Sequence, residues 1–229
     1  MERYHWVRVA FKDLPRLREF RGGWLLVVFF VLDMIGAYPP LNSWLVANFA
    51  NERANPAGII LSNLVYDGWY NVLVLAVAAG SFAVCSLSVK GVRLSDASRF
   101  FVSSTVIGAV IGNLFWYLTG VGPELPVRGT SAVTMTSIGL CLVPALMVIA
   151  VLAVKDHRTK LPRLEKLRWR RENWPAPYLG FSLMLVAWLV AWLALVFPAG
   201  NTIIHGVSLM FGLLASTFYF MPKVKLQGV

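Results

Sequence analysis

Six stretches of the chain are long and apolar enough to cross a hydrocarbon core, which takes roughly 20 mostly apolar residues in a helix. They run approximately 23–39, 58–86, 100–121, 129–154, 177–198 and 202–221. The first is short for the purpose, and the second is long enough to tilt or to begin outside the bilayer. Composition agrees: 58% of the 229 residues are hydrophobic and 14% charged, against about 45–50% and about 25% in soluble domains. An ordinary soluble domain is excluded. The aromatic content of 13% also excludes a disordered chain, since such chains are aromatic-poor and strongly charged.

The basic residues give an independent test of the span count, because short cytoplasmic loops carry an excess of Lys and Arg. With six spans and the N-terminus inside, nineteen of the 21 Lys and Arg fall on inner segments, and only Arg53 and Arg128 lie outside. One span more or fewer would scatter the positive charge onto both sides. The expected architecture is therefore an all-α integral membrane protein with six helices in the cell membrane and both termini cytoplasmic. A basic segment over 1–22 precedes the membrane domain over 23–221, and a tail over 222–229 follows it. The net charge of +10 then reports topology and attraction to anionic lipid headgroups, and calls for no nucleic acid. Residues 1–22 lead into an apolar run ending in Ala37-Tyr38-Pro39-Pro40 rather than a small-residue cleavage site, so a signal peptide is not expected. Cys85 and Cys141 both fall within spans, which leaves neither a disulfide framework nor a zinc cluster.

Buried polar groups separate channels, transporters, enzymes and scaffolds in such a bundle. The ionisable side chains within the six spans are Asp33, Asp67 and His205. That is sparse for an ion-coupled path, and no pair of Gly/Pro-broken helices recurs in two halves as a transporter site would suggest. A zinc protease of the HExxH type needs a pattern that His5, His157 and His205 do not provide. An aspartyl type would resemble the presenilin-like pair of YD and GxGD; Tyr66-Asp67 offers the first, and no GxGD occurs.

A nucleophile and a base remain. The fourth span opens Arg128-Gly129-Thr130-Ser131-Ala132 and the sixth Asn201-Thr202-Ile203-Ile204-His205-Gly206, both running from outside to inside. Ser131 and His205 each lie in the first turn of their helices, so at a rise of about 1.5 Å per residue they share a shallow depth below the outer face. Ser208 and Gly212 follow His205 at helical spacing on one face, while Gly129, Ala132 and Gly139 accompany Ser131. Small residues let membrane helices approach closely, as a hydroxyl and an imidazole must to share a hydrogen bond. A serine at a helix start also serves as a cap, and a membrane histidine as a structural donor.

The pattern resembles the rhomboid family of intramembrane serine proteases. The family's GxSG motif corresponds to Gly129-Thr130-Ser131-Ala132, and its HxxGxxxG to His205-Gly206-Val207-Ser208-Leu209-Met210-Phe211-Gly212, with Ser208 at the middle glycine. Around the family's Gly-Trp in the second span this chain reads Tyr66-Asp67-Gly68-Trp69-Tyr70-Asn71, with Leu75 further on, so Tyr66, Asn71 and Leu75 stand at three positions that are His, His and Asn in the family. The long first outer loop, about 41–57 with Trp44 and Arg53, also fits. The resemblance implies an endopeptidase that cleaves transmembrane segments of membrane proteins near the outer face without a cofactor. Ser131 would be the nucleophile and His205 the general base, with an oxyanion site made by the Ser131 backbone N–H and the Asn71 amide. Gly129, Ala132, Ser208 and Gly212 would support the pair, and Met135 would replace a tyrosine that packs on the histidine. Asp67 is expected as a solvated carboxylate at the loop edge, and Asp33 to hydrogen-bond a neighbour or be protonated. Gly108 and Gly112 are expected to serve close helix packing, and Asn113 an interhelical hydrogen bond. The competing expectation is a non-proteolytic rhomboid-like protein that binds membrane helices, supported by the departures at Asn71 and Leu75.

Overall fold

The computed structural model describes residues 21–50, 55–65, 69–88, 92–119, 130–158 and 202–220. Every element there is helical: a 3-10 turn at Arg21–Gly23, α1 (Trp24–Gly36), α2 (Pro39–Phe49), α3 (Gly58–Leu61), a 3-10 turn at Ser62–Leu64, α4 (Trp69–Ser88), α5 (Leu94–Thr119), α6 (Thr130–Arg158) and α7 (Thr202–Phe220). Two of these helices, Leu94–Thr119 and Ile203–Phe220, are long and apolar enough to cross a membrane, and the bent pair α1 and α2 makes a third if taken as one span. The fifth stretch, 177–198, the basic segment over 1–20 and the tail lie outside the described residues.

Local chemistry explains where the apolar runs break. The first run stops at Gly36, and the chain then turns by 83° into α2. Tyr38 is extended (φ −62°, ψ 121°) before Pro39 and Pro40, as a residue preceding proline must be, and a proline is suited to the first turn of a new helix. The second run, expected as one span over 58–86, is also interrupted. After α3 and the Ser62–Leu64 turn, Val65 is extended (φ −97°, ψ 117°), and the helix proper begins only at Trp69.

Among the described residues α4 to α7 form the bundle, which turns many large apolar side chains outward. On α5 the buried positions are Leu94, Ala97, Ser98, Phe101, Ser104, Thr105, Gly108, Ala109, Gly112, Asn113 and Trp116, a stripe at the three-and-four spacing of one helix face. The opposite face exposes Val106, Ile107, Leu114, Phe115 and Leu118. The same holds for α7, where Met210, Leu214 and Phe218 are exposed while Ser208 and Ser216 are buried. Small and hydroxyl residues at the helix contacts, with large apolar residues also on the outer faces, are what close-packed helices in an apolar solvent require.

α6 is the central element: Thr130 through Cys141 are buried without a break. Its closest neighbour is α7. A Cβ added at Gly212 would collide with the Thr136 carbonyl and come within 3.0 Å of the Leu140 nitrogen; one at Gly139 would collide with the Leu209 carbonyl and come within 2.7 Å of the Leu213 nitrogen. The two backbones touch there. α5 closes against the same pair, since a Cβ at Gly108 would meet Thr136 and Phe211, and one at Gly112 would meet Ser208. Close packing is thus the role of both α5 glycines. Pro144 lies inside α6 and removes the N–H that would bind the Leu140 carbonyl. Ser216 Oγ of α7 donates to that carbonyl at 2.8 Å, so the freed acceptor is satisfied from the neighbouring helix, as a low-dielectric setting demands. Cys85 and Cys141 are both free thiols and buried.

Candidate active site

The contacts between α6 and α7 fix their relative direction and level. Thr136 lies against Gly212 and Leu140 against Ser216, an offset of 76 residues, while Gly139 lies against Leu209, Gly212 and Leu213, offsets of 70 to 74 residues. The helices are therefore parallel. Carried back to Ser131, those offsets reach positions 201 to 207, at the start of α7. His205 falls inside that interval, within about 6 Å along the axis at 1.5 Å per residue.

Both residues also face inward, with Ser131 5% exposed and His205 4%. On α7 the buried face runs Ile204, His205, Ser208, Gly212, Ser216 and Phe220, and Gly206 is exposed. His205 Nδ1 is buried without a hydrogen-bond partner among the described residues. A ring nitrogen shielded from water and left unpaired costs free energy, and such exceptions call for a specific explanation, a catalytic role among them.

The wall opposite α7 is made by the start of α4. Asn71, 1% exposed, donates from Nδ2 to Thr130 Oγ1 at 3.5 Å and accepts at Oδ1 from Thr134 Oγ1 at 3.4 Å. Thr130 Oγ1 in turn donates to the Val65 carbonyl at 2.8 Å, and the Thr130 N–H reaches the same oxygen at 3.4 Å. The broken second run has a use here: the extended residue Val65 and the first turn of α4 are both tied to the turn of α6 that carries Ser131.

Among the other expected residues, Ala132 is buried with Met135 in an apolar cluster that includes Leu75, Trp116 and Ile204. Ser208 donates to the Gly108 carbonyl at 3.3 Å, so its hydroxyl serves the α5 contact. Gly212 forms the α6–α7 crossing. Gly129 and the Tyr66-Asp67-Gly68 segment lie outside the described residues. Asn113 makes its expected tertiary hydrogen bond, donating to Asn63 Oδ1 at 2.8 Å, with the Ser62–Leu64 turn as partner rather than a neighbouring span. Asp33 is buried, and its Oδ2 has no hydrogen-bond partner among the described residues.

Sequence reasoning passed over Thr130 and Thr134 as functional side chains. Their signal was two threonines at i and i+4 bracketing the candidate nucleophile in an apolar helix, but what they bind comes from a distant segment. Comparisons with known protein families, with curated proteins and with solved structures find no match.

Proposed function

We propose that the protein is a rhomboid-like intramembrane serine endopeptidase acting through Ser131 and His205. The observation that supports this reading is the register of α6 and α7, in which a buried histidine and a buried serine fall in the first turns of two parallel helices. Ser131 Oγ attacks a carbonyl carbon of the substrate while its proton passes to His205; the imidazolium then protonates the leaving amine, and water hydrolyses the acyl-enzyme through the same histidine. Asn71, bound to the turn that carries Ser131, supplies an N–H to the oxyanion beside the Ser131 backbone N–H.

The six-span arrangement with both termini cytoplasmic belongs to this proposal, supported by the sorting of nineteen of the 21 basic residues to one side. It puts the dyad near the outer face of the cell membrane, where water is at hand and where the outer ends of substrate helices are presented. Substrates are membrane proteins with small or helix-breaking residues at that level, because a helix must unwind before a peptide bond can enter the site. The basic inner loops hold anionic headgroups.

A second reading, a non-proteolytic binder of membrane helices, is favoured by Leu75, which is 1% exposed in the apolar cluster and adds no donor to the site. Labelling of the detergent-solubilised protein with a fluorophosphonate separates the two. Labelling of the wild type that is lost in both Ser131→Ala and His205→Ala is expected; a folded wild type that stays unlabelled would leave the binder.

A further inference from the structure

The two threonines that flank Ser131 hold Asn71 at both ends of its amide, and the hydrogens present there determine which end points where. Thr130 has one hydroxyl hydrogen. It is committed to the Val65 carbonyl at 2.8 Å, because a carbonyl only accepts. The Thr130 oxygen can therefore only accept from Asn71, and the atom that faces it at 3.5 Å must be the amide nitrogen. At the other end, Oδ1 lies 3.4 Å from Thr134 Oγ1, whose single hydrogen has the nearer Thr130 carbonyl at 3.0 Å as its first acceptor, so the orientation is set at the Thr130 end. With the amide reversed, Oδ1 would face an oxygen with no hydrogen to offer. Among the described residues these bonds use one hydrogen of Nδ2 and leave the second for another acceptor.

We propose that Thr130 is a positioning residue, which orients the Asn71 amide so that its second N–H meets the oxyanion formed at Ser131. The inference rests on the protease reading above. It also gives the Val65 carbonyl a role at a distance, since that acceptor is what forces Thr130 to present lone pairs to Asn71. A threonine next to the nucleophile thus links three segments, the extended residue before α4, the first turn of α4 and the first turn of α6, through one hydroxyl.

The test is the rate of fluorophosphonate labelling of the full chain in detergent, with thermal unfolding recorded for every variant. Asn71→Ala is expected to slow labelling about 100-fold, the loss typical of one oxyanion donor. Thr130→Val, which keeps the shape and removes the hydroxyl, is expected to slow it about 10-fold, while Thr130→Ser stays within about threefold of wild type, since it keeps the one hydroxyl that the geometry requires. The double variant Thr130→Val/Asn71→Ala should be no slower than Asn71→Ala alone, because both act through the same amide. Should Thr130→Val fail to fold, Thr130→Ala takes its place, again with a loss that vanishes in the Asn71→Ala background. A folded Thr130→Val that labels at the wild-type rate, or losses that multiply in the double variant, overturn the positioning role and leave the protease reading intact. An unlabelled, folded wild type overturns the protease reading and this inference with it.

Discussion

Where α6 and α7 begin, the bundle is filled with groups that have direction: Asn71, Thr130, Ser131, Thr134 and His205 are all buried there. Where α5 begins and α7 ends, it is filled with rings. Phe82 packs against Phe101 at 4.8 Å and Phe220 at 5.7 Å between centroids, and Phe100 stacks on Tyr219 at 4.1 Å. The first region is specified by hydrogens, because a donor or acceptor in low dielectric has few acceptable partners. The second is specified by volume and by the edge-to-face preferences of aromatic pairs. A change at one end should therefore be felt as lost chemistry, and a change at the other as lost stability.

The sharpest separation comes from Ser131→Ala and His205→Ala. Each is expected to abolish fluorophosphonate labelling altogether while the unfolding temperature stays near that of wild type. Next in size is Gly212→Leu, which breaks the comparison by acting on both ends at once. Its side chain would meet the α6 backbone, so a loss of about 4 kcal/mol or more, at the extreme of single substitutions, should appear as a protein that no longer survives solubilisation. Phe82→Ala is expected to cost about 3 kcal/mol, as truncation of a buried ring does, with the folded fraction labelling at the wild-type rate. If labelling fell in step with stability instead, the two ends would not be independent. Smallest is Ser216→Ala, which leaves the Leu140 carbonyl beside Pro144 without its donor. About 1 kcal/mol is expected, read as a modest drop in unfolding temperature with labelling unchanged.

Much of this molecule is legible in the order of its residues. The face of α7 that carries His205, Ser208 and Gly212 follows from helical spacing alone and is the buried face observed. The glycines of α5 announce close approach, and they touch α6 and α7. The equal level of Ser131 and His205 follows from two first turns running in the same direction. What escapes sequence is any feature whose partner lies far along the chain. An apolar run from 58 to 86 reads as one helix, because hydropathy is blind to an extended Val65 that exists to give its carbonyl to Thr130. The rescue of the Leu140 carbonyl by Ser216 pairs residues 76 apart, and Pro144 by itself says only that an acceptor has been freed.

The sequence by itself determined the apolar character of the helices, the sorting of basic charge between them, and the turn of each helix on which a serine and a histidine fall. These are properties of composition and of a period of 3.6 residues, and they need no knowledge of neighbours. Tertiary structure alone decided that Ser208 binds the α5 backbone, that Asp33 is buried with no partner for its Oδ2 among the described residues, and that the Asn71 amide meets threonines from another helix. A hydrogen bond is satisfied by whichever group arrives within reach at the right angle, and only the packed bundle fixes which group that is.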